Sequence, residues 1–166
     1  MNPEIVPLQE EHFAQLREVL DAVAREGRYL AFLEAPPVEE AFAFYRSILE
    51  RGCPAVVALD EGRVVGWCDV LFTHGESREH VGIIGLGLLP QFRGRGIGAA
   101  LMGAAIDAAW ARGLTRLELS VRADNDRARR LYGRLGFKVE GAHRNTFRVN
   151  GRYFDSFSMA LLRDGS

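Results

Sequence analysis

The chain has 166 residues, 48% of them apolar and 26% charged, with a formal net charge of −1. That length suffices for one compact domain over residues 1–166, and the balanced charge gives no global field toward nucleic acid or an anionic membrane. No apolar stretch approaches the ~20 residues of a membrane span, and "MNPEIVPLQEEHF" lacks the basic-then-apolar start of a secretory signal.

The elements follow in chain order. "EIVPL" reads as a short strand. "EEHFAQLREVLDAVAREG" places Phe13, Leu16, Leu20 and Val23 at helical spacing and stops at Gly27. "RYLAFLEAPP" is a loop ended by two prolines, and "VEEAFAFYRSILERG" is a second amphipathic helix stopped at Gly52. "PAVVALD", "EGR" and "VVGWCDVLF" read as strand, tight turn and strand. Cys53 and Cys68 form no CxxC pair and read as buried thiols of a reducing cytosol, so a cytoplasmic location is expected. After the polar loop "THGESREH" comes the apolar strand "VGIIGLGLL", whose Gly85 and Gly87 predict a bulge or a close approach to the backbone.

"QFRGRGIGAAL" opens a third helix, with Ile97, Leu101, Ala104 and Ala108 on one face and Gly113 at its end. "LTRLELSV" is a strand. "ADNDRARRLYGRLGF" is a capped helix with Asp124 or Asn125 as N-cap, Ala128, Leu131 and Leu135 facing inward, and Gly136 as its stop. "HRNTFRV" and "RYFDSFSMALL" form a hairpin about Asn150-Gly151. An antiparallel start, one strand–helix–strand crossover and a closing hairpin predict a mixed α/β (α+β) sheet with helices on its faces.

The glycine loop bears on function. Gly94, Gly96 and Gly98 alternate at the start of a helix, where free N–H groups and the positive dipole end favour an anion. Arg93 and Arg95 add charge at its mouth. A bare flexible helix start is the bland reading, and the preceding apolar strand and two arginines favour a phosphate site. A Walker loop is excluded for want of a Gly-Lys-Ser/Thr ending. Gly94, Gly96 and Ala99 meet the dinucleotide fingerprint formally, with Glu118 about 20 residues on. Against that reading, "PQFR" separates strand from glycines, Glu118 lies inside its strand, and there is one crossover unit.

Arg93-x-x-Gly96-x-Gly98 resembles the Arg/Gln-x-x-Gly-x-Gly/Ala signature of the GCN5-related N-acetyltransferases (GNAT). Asn125, Ala128, Leu131, Tyr132, Gly136 and Phe137 are in register with that family's second signature. The tail "EGAHRNTFRVNGRYFDSFSMALL" is similar to a subgroup that acetylates amino acids and related small amines. The resemblance implies a mostly antiparallel sheet in which "IIGLGLL" and "LELSV" are a central parallel pair splayed into a V. It implies acetyl-CoA as co-substrate, its pantetheine arm pairing with Leu86, Gly87 and Leu88. Its pyrophosphate would lie on the amides of Gly94, Arg95, Gly96, Ile97, Gly98 and Ala99, with Arg93, Asn125, Ala128 and Tyr132 completing the cofactor site.

Acetyl transfer to an amine needs a proton acceptor, an oxyanion donor and a hydrogen bond or proton for the departing sulfur. The resemblance gives Tyr132 the last role; periodicity alone makes it a core aromatic. In several relatives a Glu stands where this chain has Ser120. Glu118, two residues earlier on the same strand face, is either a base acting through water or a salt-bridged carboxylate. Tyr29, Phe32, Glu34 and Tyr45 fall where relatives build the acceptor pocket, with ordinary packing as the alternative for each. His12, His74, His80 and His143 share no metal-ligand spacing, read as surface or loop residues, and no metal is expected. The reading is an N-acetyltransferase for an amino-acid-like primary amine. A peptide N-terminus, an antibiotic amine and a non-catalytic acyl-CoA sensor are the alternatives. The apolar edge offered by "RYFDSFSMALL" further predicts a homodimer.

Overall fold

The computed structural model describes residues 3–166. Among them are seven strands: β1 Glu4–Pro7, β2 Ala55–Asp60, β3 Arg63–Phe72, β4 Val81–Leu88, β5 Arg116–Arg122, β6 Lys138–Val149 and β7 Arg152–Leu162. The α-helices are α1 Phe13–Arg25, α2 Val38–Arg51, α3 Ile97–Ala111 and α4 Asp126–Arg134. The strands form one sheet in the order β1-β2-β3-β4-β5-β7-β6. Every neighbouring pair is antiparallel except β4–β5.

Alternation along the strands divides the core in two. Val57, Val64 and Trp67 face α1 and α2, packing with Phe13, Leu16 and Tyr45. Cys68, Val70, Ile84, Leu117 and Leu119 face the opposite way and pack with Leu101, Met102 and Ala105 of α3. Helices therefore cover both faces. Asn150 and Gly151 take φ of 52° and 78°, the paired left-handed geometry that turns β6 tightly into β7.

The β4–β5 ladder is short. Val81 pairs with Arg116, Gly82 with Leu117 and Ile83 with Glu118, and there the pairing ends. Beyond it β4 stays on β3 as far as Gly66↔Leu88, while β5 stays on β7 as far as Arg122↔Ser156. Each strand keeps its outer partner and loses its inner one, which is the splayed V.

Several expectations change. The buried stripe of α3 runs through Ile97, Leu101, Met102, Ala105, Ile106 and Ala109; Ala104 and Ala108 lie beside it. An alanine-rich helix offers little contrast between faces, so its periodicity misleads. β7 has no free edge, since β5 and β6 pair with its two sides; the edge strand is β6. His12 is buried, its Nδ1 accepting the Gln9 backbone N–H at 3.0 Å. Both cysteines are buried and free.

The two β4 glycines make no bulge, because the β3–β4 register runs without a shift. They differ in environment. A Cβ at Gly87 would overlap the Trp67 indole, whereas one at Gly85 meets only the Asp69 carboxylate, at 3.4 Å. Gly87→Ala should therefore destabilise the fold by about 1–3 kcal/mol, the usual cost of overpacking. Gly85→Ala should stay within roughly 0.5 kcal/mol of wild type. Urea unfolding of the two variants checks the contrast, and equal midpoints would remove it.

Candidate active site

A cavity of about 580 Å³ opens where β4 and β5 part, a size typical of small-molecule sites. One wall is β4 at Leu86, Gly87 and Leu88; the other is β5 from Ser120 to Arg122 with Asn125, Ala128, Leu131 and Tyr132 from the α4 segment. Gly94, Gly96, Gly98 and Ala99 form its end, and Tyr29 reaches it from the loop after α1.

The glycine loop builds that end. Gly94 and Gly96 sit at φ of 76° and 81°, conformations that side-chain-bearing residues rarely adopt. Gly96 is the N-cap of α3, and the first helical bond runs from the Ala100 N–H to its carbonyl. The amides of Ile97, Gly98 and Ala99 thus have no acceptor within the helix. No acidic side chain occupies the first turn of α3 to compete for them. A Cβ on Gly98 would meet Leu131 at 3.3 Å and Leu86 at 3.7 Å, so this glycine lets α3 start close to both walls. Ile97 itself is turned into the core. The open approach to Gly94 and Gly96, free of any neighbour within 4 Å of a Cβ, fits a bulky phosphate group.

The arginines of the loop are used differently from the expectation. Arg93 lines the cavity, but its guanidinium forms a bidentate pair with Glu26 at 2.8 and 2.6 Å. Its Nε donates to the Leu88 carbonyl at 3.0 Å, and its charge lies 4.5 Å from the centre of the Tyr29 ring. Glu26 and the desolvation it offsets make Arg93 a clamp between α1 and the end of β4. Arg95 rests over the Phe92 ring at 5.5 Å and does not line the cavity. Other cations face it: Arg127 and Arg134 on α4, and Arg28 before Tyr29. Their signal in the sequence was the run of arginines on α4, with Arg129 instead stacked over Phe157 at 4.3 Å.

On α4, Asn125 is the N-cap, its side chain accepting the Ala128 N–H at 3.2 Å. Tyr132 is half-buried on the cavity wall, its ring 6.0 Å from that of Phe137. Burial pushes its phenol above the ordinary tyrosine range, with Cys68 a smaller contributor, so it keeps its proton and offers a donor.

The remaining sequence-predicted residues are not brought together. Glu118 lies at the closed end of the V, two residues short of the lining Ser120. Its carboxylate accepts from Arg78 at 3.0 Å and from the Arg116 Nε and Nη2 at 3.0 and 2.9 Å. The role of base does not fit this position; two guanidiniums already occupy the carboxylate. Its face was read correctly, its depth along the strand was not. Phe32 is 57% exposed away from the cavity, and Glu34 pairs with Arg25 at 3.4 Å. Tyr45 is buried against Phe13 and Phe42. Tyr29 alone of the four lines the cavity.

Comparison with known proteins agrees with this geometry. The acetyltransferase (GNAT) family model matches residues 16–137. The chain is 32% identical over 114 residues to an L-amino acid N-acetyltransferase of Escherichia coli, covering 68% of this chain and 70% of that one. The fold superposes on the yncA structure from Salmonella typhimurium, solved with its cofactor acetyl-CoA, with a TM-score of 0.92, 21% identity and coverage of 99% and 95%. A phosphinothricin acetyltransferase from Sinorhizobium meliloti in complex with acetyl-CoA gives a TM-score of 0.91 at 22% identity, covering 98% and 89%.

If Glu26 holds Arg93 in place, Glu26→Ala leaves a half-buried guanidinium without its carboxylate. Stability should fall by about 1.5–3 kcal/mol, the usual worth of hydrogen bonds to charged groups. Urea denaturation measures it, and an unchanged midpoint would mean that the clamp carries no load.

Proposed function

The chain belongs to the GNAT acetyltransferase family, and on that premise we propose that it transfers the acetyl group of acetyl-CoA to the primary amine of a small molecule, an amino acid or close analogue. The observation that carries this reading is the splayed β4–β5 gap, which runs into the free amides at the start of α3 and has Tyr132 on its wall. The amino-acid acceptor is supported by the similarity to the E. coli enzyme of that activity.

The residues present fit acetyl-CoA. Beyond Ile83 the edge of β4 has no strand partner on its β5 side, so Leu86–Leu88 can pair with the amides of a pantetheine arm. The amides of Ile97, Gly98 and Ala99, with the positive end of α3, suit a pyrophosphate, and Arg127 and Arg134 add charge beside it. Bound acetyl-CoA would supply the acetyl group as a thioester. Tyr132 would donate a hydrogen bond to its sulfur, one that strengthens as charge develops there, which is the form of interaction that speeds such a step. Its raised pKa makes it a firm hydrogen-bond donor more than a strong acid. The reading takes the cytoplasm as the site of action, in keeping with two buried free thiols. It also keeps a homodimer, with the contact moved to the free edge of β6; light scattering at micromolar concentration should give twice the chain mass, and a monomer contradicts it.

Acetyl-CoA offered with a panel of L-amino acids, peptide N-termini and aminoglycosides should be consumed fastest with an amino acid or analogue. Binding without transfer to any of them would leave a sensor. Tyr132→Phe keeps the ring and removes the hydroxyl. Turnover should fall by roughly 10²- to 10⁴-fold, the usual share of acid–base assistance, with little change in acetyl-CoA affinity by calorimetry. Wild-type turnover in this variant would remove Tyr132 from the mechanism.

A further inference from the structure

Asp69 lies on β3 opposite Gly85 of β4, two register positions from the point where the β4–β5 ladder ends. Its side chain points to the α1/α2 side, as does that of Trp67, while Cys68 and Val70 between and beyond them enter the α3 core. Gly85 presents no side chain, and Oδ1 of Asp69 is the group that stands over it. The carboxylate is half-buried, yet neither an ion pair nor a hydrogen bond stabilises it among the described residues. It shares a small cavity of about 30 Å³ with Tyr45 and Phe44 of α2. Tyr45 is 3% exposed, and its hydroxyl has no hydrogen-bond partner among the described residues. An unpaired carboxylate and an unpaired phenol facing one cavity cost stability that the apolar surroundings do not return. Asp69 does not line the larger cavity itself, but the Gly85 it stands over adjoins Leu86 of that cavity's β4 wall, and an unpaired group so placed points to a function.

We propose that Asp69 is the proton acceptor of the reaction, taking the proton of the acceptor ammonium at the Gly85 position of β4. This inference rests on the acetyltransferase reading above. The Asp69 carboxylate takes one proton from R–NH₃⁺ and later returns it to solvent. The freed nitrogen lone pair forms the C–N bond to the acyl carbon as the C–S bond breaks. The sulfur leaves with that electron pair, held by the hydrogen bond from the Tyr132 hydroxyl, and takes up the second proton released from nitrogen. The products are the acetamide and the free thiol, with one proton released.

Desolvation raises the Asp69 carboxyl to about 7, where it can both accept and release a proton at neutral pH. The titratable groups around it are few. α2 contributes Tyr45, pushed up to about 12 by burial, and α1 contributes Arg17, whose charge acts on Tyr45. Cys68 lies on the other face of its own strand, held well above the usual thiol range. The facing stretch of β4, Ile83–Leu88, has no ionisable side chain. Because the folded value lies above the ordinary carboxyl value near ~3.9, the folded protein holds a proton that the unfolded chain releases. Stability is therefore lost as pH rises from about 4 to about 7, and the full penalty persists above that.

Asp69→Asn separates this role from a structural one. In the protein without co-substrate the melting temperature at pH 8 should rise above wild type, and the difference should close toward pH 5. In the amine panel, kcat/KM at pH 7 should fall by roughly 10²- to 10⁴-fold with acetyl-CoA affinity unchanged. The deficit should shrink toward pH 10, where the amine sheds its proton unaided. A lower melting temperature at pH 8, or an equal deficit at every pH, overturns the assignment in favour of a structural role. Transfer that Asp69→Asn leaves unchanged overturns the base alone. Absence of transfer by the wild-type chain overturns the acetyltransferase reading and the base with it.

Discussion

The parallel ladder between β4 and β5 holds for three residue pairs and is then released. The closed end is tied twice. The His80 carbonyl accepts the backbone N–H groups of Thr115 and Arg116, and Glu118 joins Arg78 before β4 to Arg116, which continues to Glu140 on β6. Past that tie each strand follows its outer neighbour. A released strand edge leaves N–H and C=O groups without partners, which a sheet interior does not tolerate cheaply. The edge is therefore suited to a guest that carries amides of its own. The cavity, the position of Tyr132 on its wall and the partial exposure of Gly85 all follow from this one interruption.

Charge is distributed unevenly about that gap. The arginine of the first signature, Arg93, is spent on architecture: with Glu26 and Tyr29 it fixes the end of α1 against the last carbonyl of β4. Arg122 acts likewise at the end of β5, donating to the Gly27 carbonyl at 2.8 Å while stacked 3.6 Å over Phe154. Both mouths of the V are thus braced to the loop after α1, from which Tyr29 reaches the cavity. The groups of positive character that face the cavity are instead the backbone amides at the start of α3 and the arginines of α4. Asp69 stands on the opposite side of β4 from β5, with no arginine among its hydrogen-bond or ion-pair partners in the described residues.

Much of this was legible in the sequence because its cause is local. Asn125 had to be a cap, Asn150-Gly151 had to turn, and the glycines before α3 had to leave its first amides open. The two signatures named the family and the V. What escaped depends on partners distant in the chain. Nothing near Arg93 announces Glu26, 67 positions earlier. The parity of Glu118 was readable, but its depth depends on where the parallel register stops. β7 reads as an edge until the sheet order inserts it between β5 and β6. Asp69 sits in an ordinary apolar strand, and only the β3–β4 register shows that a glycine faces it.

The central claim is that the released edge of β4 and the start of α3 together bind the thioester co-substrate. Amide hydrogen exchange of the protein with and without acetyl-CoA addresses it residue by residue. The account predicts new protection at Leu86–Leu88 and at Gly94–Ala99, with the paired stretch Val81–Ile83 unchanged. Binding that leaves both segments unprotected, or protects the β6–β7 hairpin instead, would contradict it.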